Sequence, residues 1–197
     1  MTESVDMPAQ TDGRRQRTTK TRSKIVEALF ELIEEGNLVP TSEEVAERAD
    51  VGLRTVFRHF EDMDSLYAEL QGKLELILRP LFDKGPVSGS LDERIESLVH
   101  RRGGLFEKTR AFRRATEARR WQSPYLRASR TAHHKEMRRF MMRHLPECEE
   151  GPAYVRRTIE TLLSADAWDQ MREGQGLSVK ECERTLVDAL KKLMLPD

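Results

Sequence analysis

Residues 41–60 read TSEEVAERADVGLRTVFRHF, and the fold turns on this stretch. Thr41-Ser42-Glu43-Glu44 has the order of a capping box: the threonine hydroxyl takes an orphan N–H of the first turn, and the glutamate returns to the backbone of the cap. A helix therefore starts at Thr41, with Val45, Ala46 and Ala49 on its apolar side, and ends within a few residues at Asp50-Val51-Gly52. A second short helix covers about Leu53 to Phe60. The turn between them is too tight for the two to lie antiparallel. Ala46 is small where the helices must cross, and Val45, Ala49, Val51 and Val56 supply the contacts that fix the crossing. This is a helix-turn-helix pattern.

The second of these helices carries the chemistry. It has two arginines, a histidine, a threonine and no acid. A helix fits the major groove of B-DNA, and its N-terminal side chains reach base edges. Leu53, Arg54 and Thr55 stand there, with Arg54 placed to read a guanine and Thr55 to meet a phosphate or a thymine methyl. Arg58 and His59 lie further along and suit phosphates. Thr41 and Ser42 open the preceding helix and offer free N–H groups and hydroxyls to another phosphate. Phe57 shares the reading helix and belongs with the candidates, although it and Phe60 read more readily as core. Upstream, Arg14 to Lys24 holds six basic residues and no acid. Arg17, Lys20 and Arg22 are its candidate DNA contacts, and a solvated tail is the competing reading.

Outward from this core the pattern is helical throughout. Ile25, Leu29 and Ile33, flanked by Ala28 and Leu32, predict a helix from about Ser23 to Glu35, stopped by Gly36-Asn37. Leu66, Leu70, Leu74, Ile77, Leu78 and Leu81 form one long stripe, which Pro80 should kink or end. Ser90-Leu91-Asp92-Glu93 and Ser178-Val179-Lys180-Glu181 are two more capping boxes. Gly103-Gly104 should break the helix that the first of these opens. Ser123-Pro124 supplies a cap and a first-turn proline for another helix, and Gly151-Pro152 begins a helix that runs to Gly174. The expected class is all-α with nine helices. Residues 1–22 read as a disordered tail and basic arm, 23–68 as the DNA-binding domain, and 69–197 as a sensing and dimerisation domain.

Composition agrees and excludes other classes. The 197 residues are 38% hydrophobic, 35% charged and only 6% aromatic, which suits charged helices with a real core rather than a sheet or a disordered chain. Lys+Arg and Asp+Glu each number 34, yet His100 to Arg143 holds 14 bases against three acids. That asymmetry points to an anionic partner or to pairing between segments. No apolar stretch approaches the roughly 20 residues of a membrane span, and nothing resembles a secretory signal. Cys148 and Cys182 make no disulfide framework and fit idle thiols in the cytoplasm. There is no phosphate-binding glycine loop, no His-Glu-x-x-His, no Cys-x-x-Cys and no nucleophile elbow. His133, His134 and Glu136 are a weak metal set, because adjacent histidines on a helix point apart. Neither an enzyme nor a cofactor is expected.

Residues 20–70 resemble the DNA-binding module of TetR-type transcriptional regulators. The likeness rests on Thr41, Val45-Ala46, Ala49-Asp50-Val51-Gly52, Thr55-Val56-Phe57-Arg58-His59-Phe60 and Leu66, with Ile25, Ala28, Leu29, Phe30 and Gly36 in the first helix. Four positions depart from the family. Asp50 stands where glycine is usual, Gly52 where a serine cap is usual, Phe57 where a tyrosine often holds a phosphate, and Met63 where lysine is frequent. Arginines of the arm could make up the lost contacts by entering the minor groove, as homeodomain arms do.

The resemblance implies a homodimer. Val155, Ile159, Leu162 and Leu163 form one stripe, and Cys182, Leu186, Leu190 and Leu193 another. Paired with their copies they would bury as a four-helix bundle. It implies also a sensor pocket among the middle helices, for which Leu98, Phe106, Phe112, Trp121, Met137, Phe140, Met141 and Trp168 are candidates. The expected function is a repressor released from a pseudo-palindromic operator by a small molecule. The alternative is a helical interaction protein that has lost DNA binding.

Overall fold

The structure is a computed structural model that describes residues 9–82 and 88–194, with side chains described over 15–80 and 88–194. Among the described residues there are ten α-helices and no strand. They are α1 (Ala9–Glu34), α2 (Ser42–Arg48), α3 (Leu53–His59), α4 (Met63–Phe82), α5 (Leu91–Arg119), α6 (Pro124–His144), α7 (Glu147–Glu150), α8 (Ala153–Leu162), α9 (Ala165–Asp169) and α10 (Val179–Met194). A 3₁₀ turn, Arg120–Gln122, precedes α6, and a π-helical turn, Gln170–Gly174, follows α9. The all-α expectation holds and the count of nine does not. Gly103-Gly104 fails to break α5, and Ser164 divides the stretch expected to run to Gly174 by accepting the N–H of Ala167 as a fresh N-cap. The first helix begins at Ala9 rather than Ser23, so the arm from Ala9 to Arg22 is helical. Residues 1–8 of the expected tail lie outside the described residues.

Local chemistry explains the ends that were legible. At Thr41 the hydroxyl accepts the Glu44 N–H at 3.2 Å, while the Glu44 carboxylate accepts the Thr41 N–H at 2.7 Å. Ser90 with Glu93 and Ser178 with Glu181 repeat this reciprocal pair. Asp50 adopts φ +52, the left-handed turn that family members usually assign to glycine. Pro80 lies inside α4, two residues before its end at Phe82.

The chain divides into two compact units. The first takes in residues up to Leu74 together with Ala111–Leu126. The expected boundary at residue 68 therefore omits the second of these segments. Ile25, Leu29 and Ile33 of α1, Val45 and Ala46 of α2, Val56 of α3 and Leu66, Tyr67 and Leu70 of α4 are all buried. The Arg48 guanidinium holds both oxygens of Glu35, at 2.8 and 2.6 Å, joining α2 to α1. Lys73 pairs with Glu27 and joins α4 to α1. The later segment is sewn in by side chains. Phe112 packs 6.5 Å from Tyr67, ring centre to ring centre. The Ser123 hydroxyl donates to Asp64 at 2.7 Å and accepts the Leu126 N–H at 2.9 Å, which caps α6. Burial pushes the Tyr67 phenol up to about 12, with Arg119 opposing the shift.

The second unit comprises Glu75–Arg110 and the residues from Arg127 onward. Its core joins Ile95, Leu98, Val99 and Phe106 of α5 to Phe140 and Met141 of α6, and to residues of α7 through α10. This core takes in residues expected at a dimer seam and in a sensor pocket. Ile159, Leu163, Cys182, Leu186 and Leu190 are buried inside this core, so they are not available to a partner; of the expected dimer stripes only Val155, Leu162 and Leu193 are partly exposed. Leu98, Phe106, Met137, Phe140, Met141 and Trp168 are buried, Phe112 belongs to the first unit, and Trp121 is 75% exposed beneath the Arg120 guanidinium. On α4 the stripe holds for Leu66, Leu70, Leu74 and Leu78, whereas Ile77 is 62% exposed; the Leu81 side chain lies outside the described residues.

Packing explains Gly103 and not Gly104. A Cβ on Gly103 would stand 2.6 Å from Cη2 of Trp168, whereas one on Gly104 would meet nothing within 4 Å. Alanine at Gly103 should therefore destabilise by about 1–3 kcal/mol through overpacking. Alanine at Gly104 should stabilise by about 0.5–1 kcal/mol by restricting the unfolded chain. Denaturant midpoints of the two variants check the opposite signs.

Acid sensitivity follows from one buried histidine and from carboxylates held by arginines. His144 is buried with Nδ1 2.9 Å from the Phe140 carbonyl, and burial, with Arg101, Arg143 and Arg102 nearby, holds its pKa below the ordinary 6.5. The unfolded chain then binds protons first, so stability falls as pH drops below about 6.5. Glu107 and Glu147 are held below 4.5 by hydrogen bonds from Arg172 and Arg94 respectively. Their contribution is full above 4.5 and is lost as pH falls through their lowered values. Thermal midpoints should thus fall in two stages on acidification, and His144→Asn should flatten the upper stage.

Candidate nucleic-acid interface

Val56, on α3, and Phe60, its extended C-cap residue, anchor the inner side, and a helix advances about 100° per residue. Both are buried, which turns α3 so that Arg54 and Arg58, one turn apart, emerge on the opposite side. Both arginines are exposed, and neither has an ion-pair or hydrogen-bond partner among the described residues. Phe57, expected in the core, flanks this face at 49% exposed. Leu53, Thr55 and His59 are half-buried along its borders. Burial, then the charges of Arg58 and Arg22, hold His59 below its ordinary pKa. The face thus presents two exposed guanidinium groups flanked by an imidazole whose protonation is disfavoured.

The other sequence-derived contacts separate. Thr41 is exposed, but its hydroxyl is taken up by Glu44, and Glu43 and Glu44 in the first turn of α2 oppose an approaching phosphate. Ser42 is half-buried beside them. On α1, Arg17, Lys20 and Lys24 fall within one arc of the helix and are exposed, on the side away from Leu29 and Ile33. A helix about 10–12 Å across does not enter a minor groove about 6 Å wide, so these residues cannot act as an extended arm does. Arg22 turns the other way. Its guanidinium donates to the His59 carbonyl at 2.6 Å and to Glu69 at 2.9 Å, and lies 4.2 Å above the Phe60 ring. Glu69 went unnoticed in the sequence, since no spacing rule links residues 22, 59 and 69.

No family model and no curated protein matches the chain. Solved structures do. A transcriptional regulator from Rhodococcus sp. Rha1 is 20% identical with a TM-score of 0.67, over 87% of this chain and 95% of its own. A protein of Streptomyces coelicolor A3(2), described as a transcriptional regulator, is 17% identical with a TM-score of 0.64, over 89% and 99%. SmeT, crystallised in complex with triclosan, is 15% identical with a TM-score of 0.62, over 87% and 90%. The chain shares its all-α fold with these proteins, and that fold is the one expected from the TetR-type resemblance of residues 20–70. No helix among the described residues is long and apolar enough to cross a membrane.

Proposed function

We propose that the protein is a TetR-type transcriptional regulator that binds double-stranded DNA as a homodimer, reading each half of a pseudo-palindromic site with one copy of α3. The observation that carries this is the face of α3: two unpaired arginines set opposite the buried Val56 and Phe60. Arg54 reads a base, Arg58 and Lys20 meet phosphates, and Thr55 and His59 line the groove walls. Tyr154, 69% exposed on α8, supports a partner contact there, beside Val155, Leu162 and Leu193, which are partly exposed at the edge of the core. Repression relieved by a small molecule is the finer reading, and the complex of SmeT with triclosan supports it. The candidate pocket residues Leu98, Phe106, Phe140, Met141 and Trp168 belong to the core of the second unit, so a ligand that bound among them would be linked to its conformation.

Selection of bound fragments from a pool of duplex genomic DNA tests the proposal. The expected result is a two-fold symmetric sequence with half-sites about one helical turn apart or a multiple of it, retained by a protein that light scattering shows to be a dimer. No enrichment at any salt concentration would overturn DNA reading and leave the interaction-protein alternative.

A further inference from the structure

Arg22 stands in the arm that the sequence assigns to DNA, yet its guanidinium faces inward. It bonds the carbonyl of His59, the last residue of α3, at 2.6 Å. It pairs with Glu69 on α4 at 2.9 Å, and its Cζ stands 4.2 Å from the ring centre of Phe60, the C-cap of α3. One planar group thus ties α1, the end of α3 and α4 together, and a positive charge at a helix C-terminus is where the helix dipole favours it. The other end of α3 has no comparable fastening, since its N-cap, Gly52, makes no side-chain bond. Resting on the DNA-reading proposal above, we infer that Arg22 is a positioning residue, with Glu69 as its anchor, and that this clamp sets the pose in which α3 presents Arg54 and Arg58 to base edges.

The inference separates from a direct phosphate contact by sign. Glu69→Gln keeps the shape of the anchor but removes a negative charge. If Arg22 touched a phosphate, that change would free it and tighten binding to any duplex. As a clamp, its loss loosens α3, so specific binding weakens while non-specific binding does not. Arg22→Lys keeps the charge and loses the fork that reaches both partners.

Titrations of wild type, Arg22→Lys, Arg22→Ala and Glu69→Gln against the selected duplex and an unrelated one, over a salt series, decide the matter. The expected result is a specific-over-non-specific ratio reduced roughly tenfold in Glu69→Gln and Arg22→Lys, the size of one lost base contact. Their salt slopes should stay at the wild-type value. A slope reduced by about one in Arg22→Ala, with Glu69→Gln binding as tightly as wild type or more so, would overturn it. Amide exchange measured without DNA gives an independent arm. Residues 56–60 should exchange faster in both conservative variants while the global unfolding midpoint holds, and unchanged exchange there would refute the clamp. Wild type that selects no duplex, with exchange altered as expected, would refute DNA reading and keep the clamp.

Discussion

Replacing Trp168 by alanine should cost about 3–5 kcal/mol, the largest single loss expected in the second unit. The indole is 1% exposed, lies 6.0 Å from the Phe106 ring, and fills the space that Gly103 leaves by lacking a Cβ. Its N–H donates to Glu107 at 2.8 Å, and the same carboxylate accepts the Arg172 Nε–H at 2.9 Å. Alanine therefore opens a cavity and strips one donor from a partly buried carboxylate. Trp168→Phe should recover most of the packing and still lose the hydrogen bond, worth about 1.5–3 kcal/mol for a charged acceptor. Denaturant unfolding followed by circular dichroism measures both, since Trp121 would be the sole remaining indole. A loss under about 1 kcal/mol, well below the range for a packed aromatic, would mean that Trp168 lines an opening, as the ligand-pocket expectation had it.

The second large effect falls on DNA. Arg54→Ala should weaken binding to the selected site by about 1–3 kcal/mol, the discrimination of one bidentate guanine contact. At about 1.4 kcal/mol per factor of ten this is roughly 5- to 150-fold. Binding to unrelated duplex should change far less, and selection repeated with the variant should relax at one base pair in each half-site. Arg58→Ala should instead weaken binding across sequences and lower the salt slope by about one. The two arginines are a single turn apart on α3, so this contrast tests whether position along the helix sorts base from backbone contacts. Equal losses on all duplexes for both variants would show that Arg54 is only a phosphate contact.

What the sequence revealed follows the range of the interactions involved. Capping boxes at Thr41, Ser90 and Ser178 close within three residues, and the tight turn at Asp50 is equally local, so all four were legible. The apolar stripes were legible as stripes, but periodicity does not say what covers them. Of the residues assigned to a partner copy, Ile159, Leu163, Cys182, Leu186 and Leu190 are buried within their own chain. Glycine is ambiguous in the same way: Gly103 signals either a helix break or a close approach, and only the indole of Trp168, far along the chain, decides between them. On the exposed face of α3, Arg54 and Arg58 were legible because α3 is short, charged and regular. The role of Arg22 was missed because its partners lie 37 and 47 residues away on other helices.

The first unit is discontinuous: Ala111–Leu126 belongs with the residues up to Leu74, held by Phe112 and by the hydroxyl of Ser123. A ribosome adds about 5–20 residues per second, so the stretch from Leu74 to Leu126 takes roughly 3–10 s to make. Through that interval a nascent helix-turn-helix, already displaying its arginines, leaves one flank of α4 uncovered. The first unit is therefore completed only once Leu126 is made, and a fragment cut after α4 would keep α3 and lose the segment that completes its support.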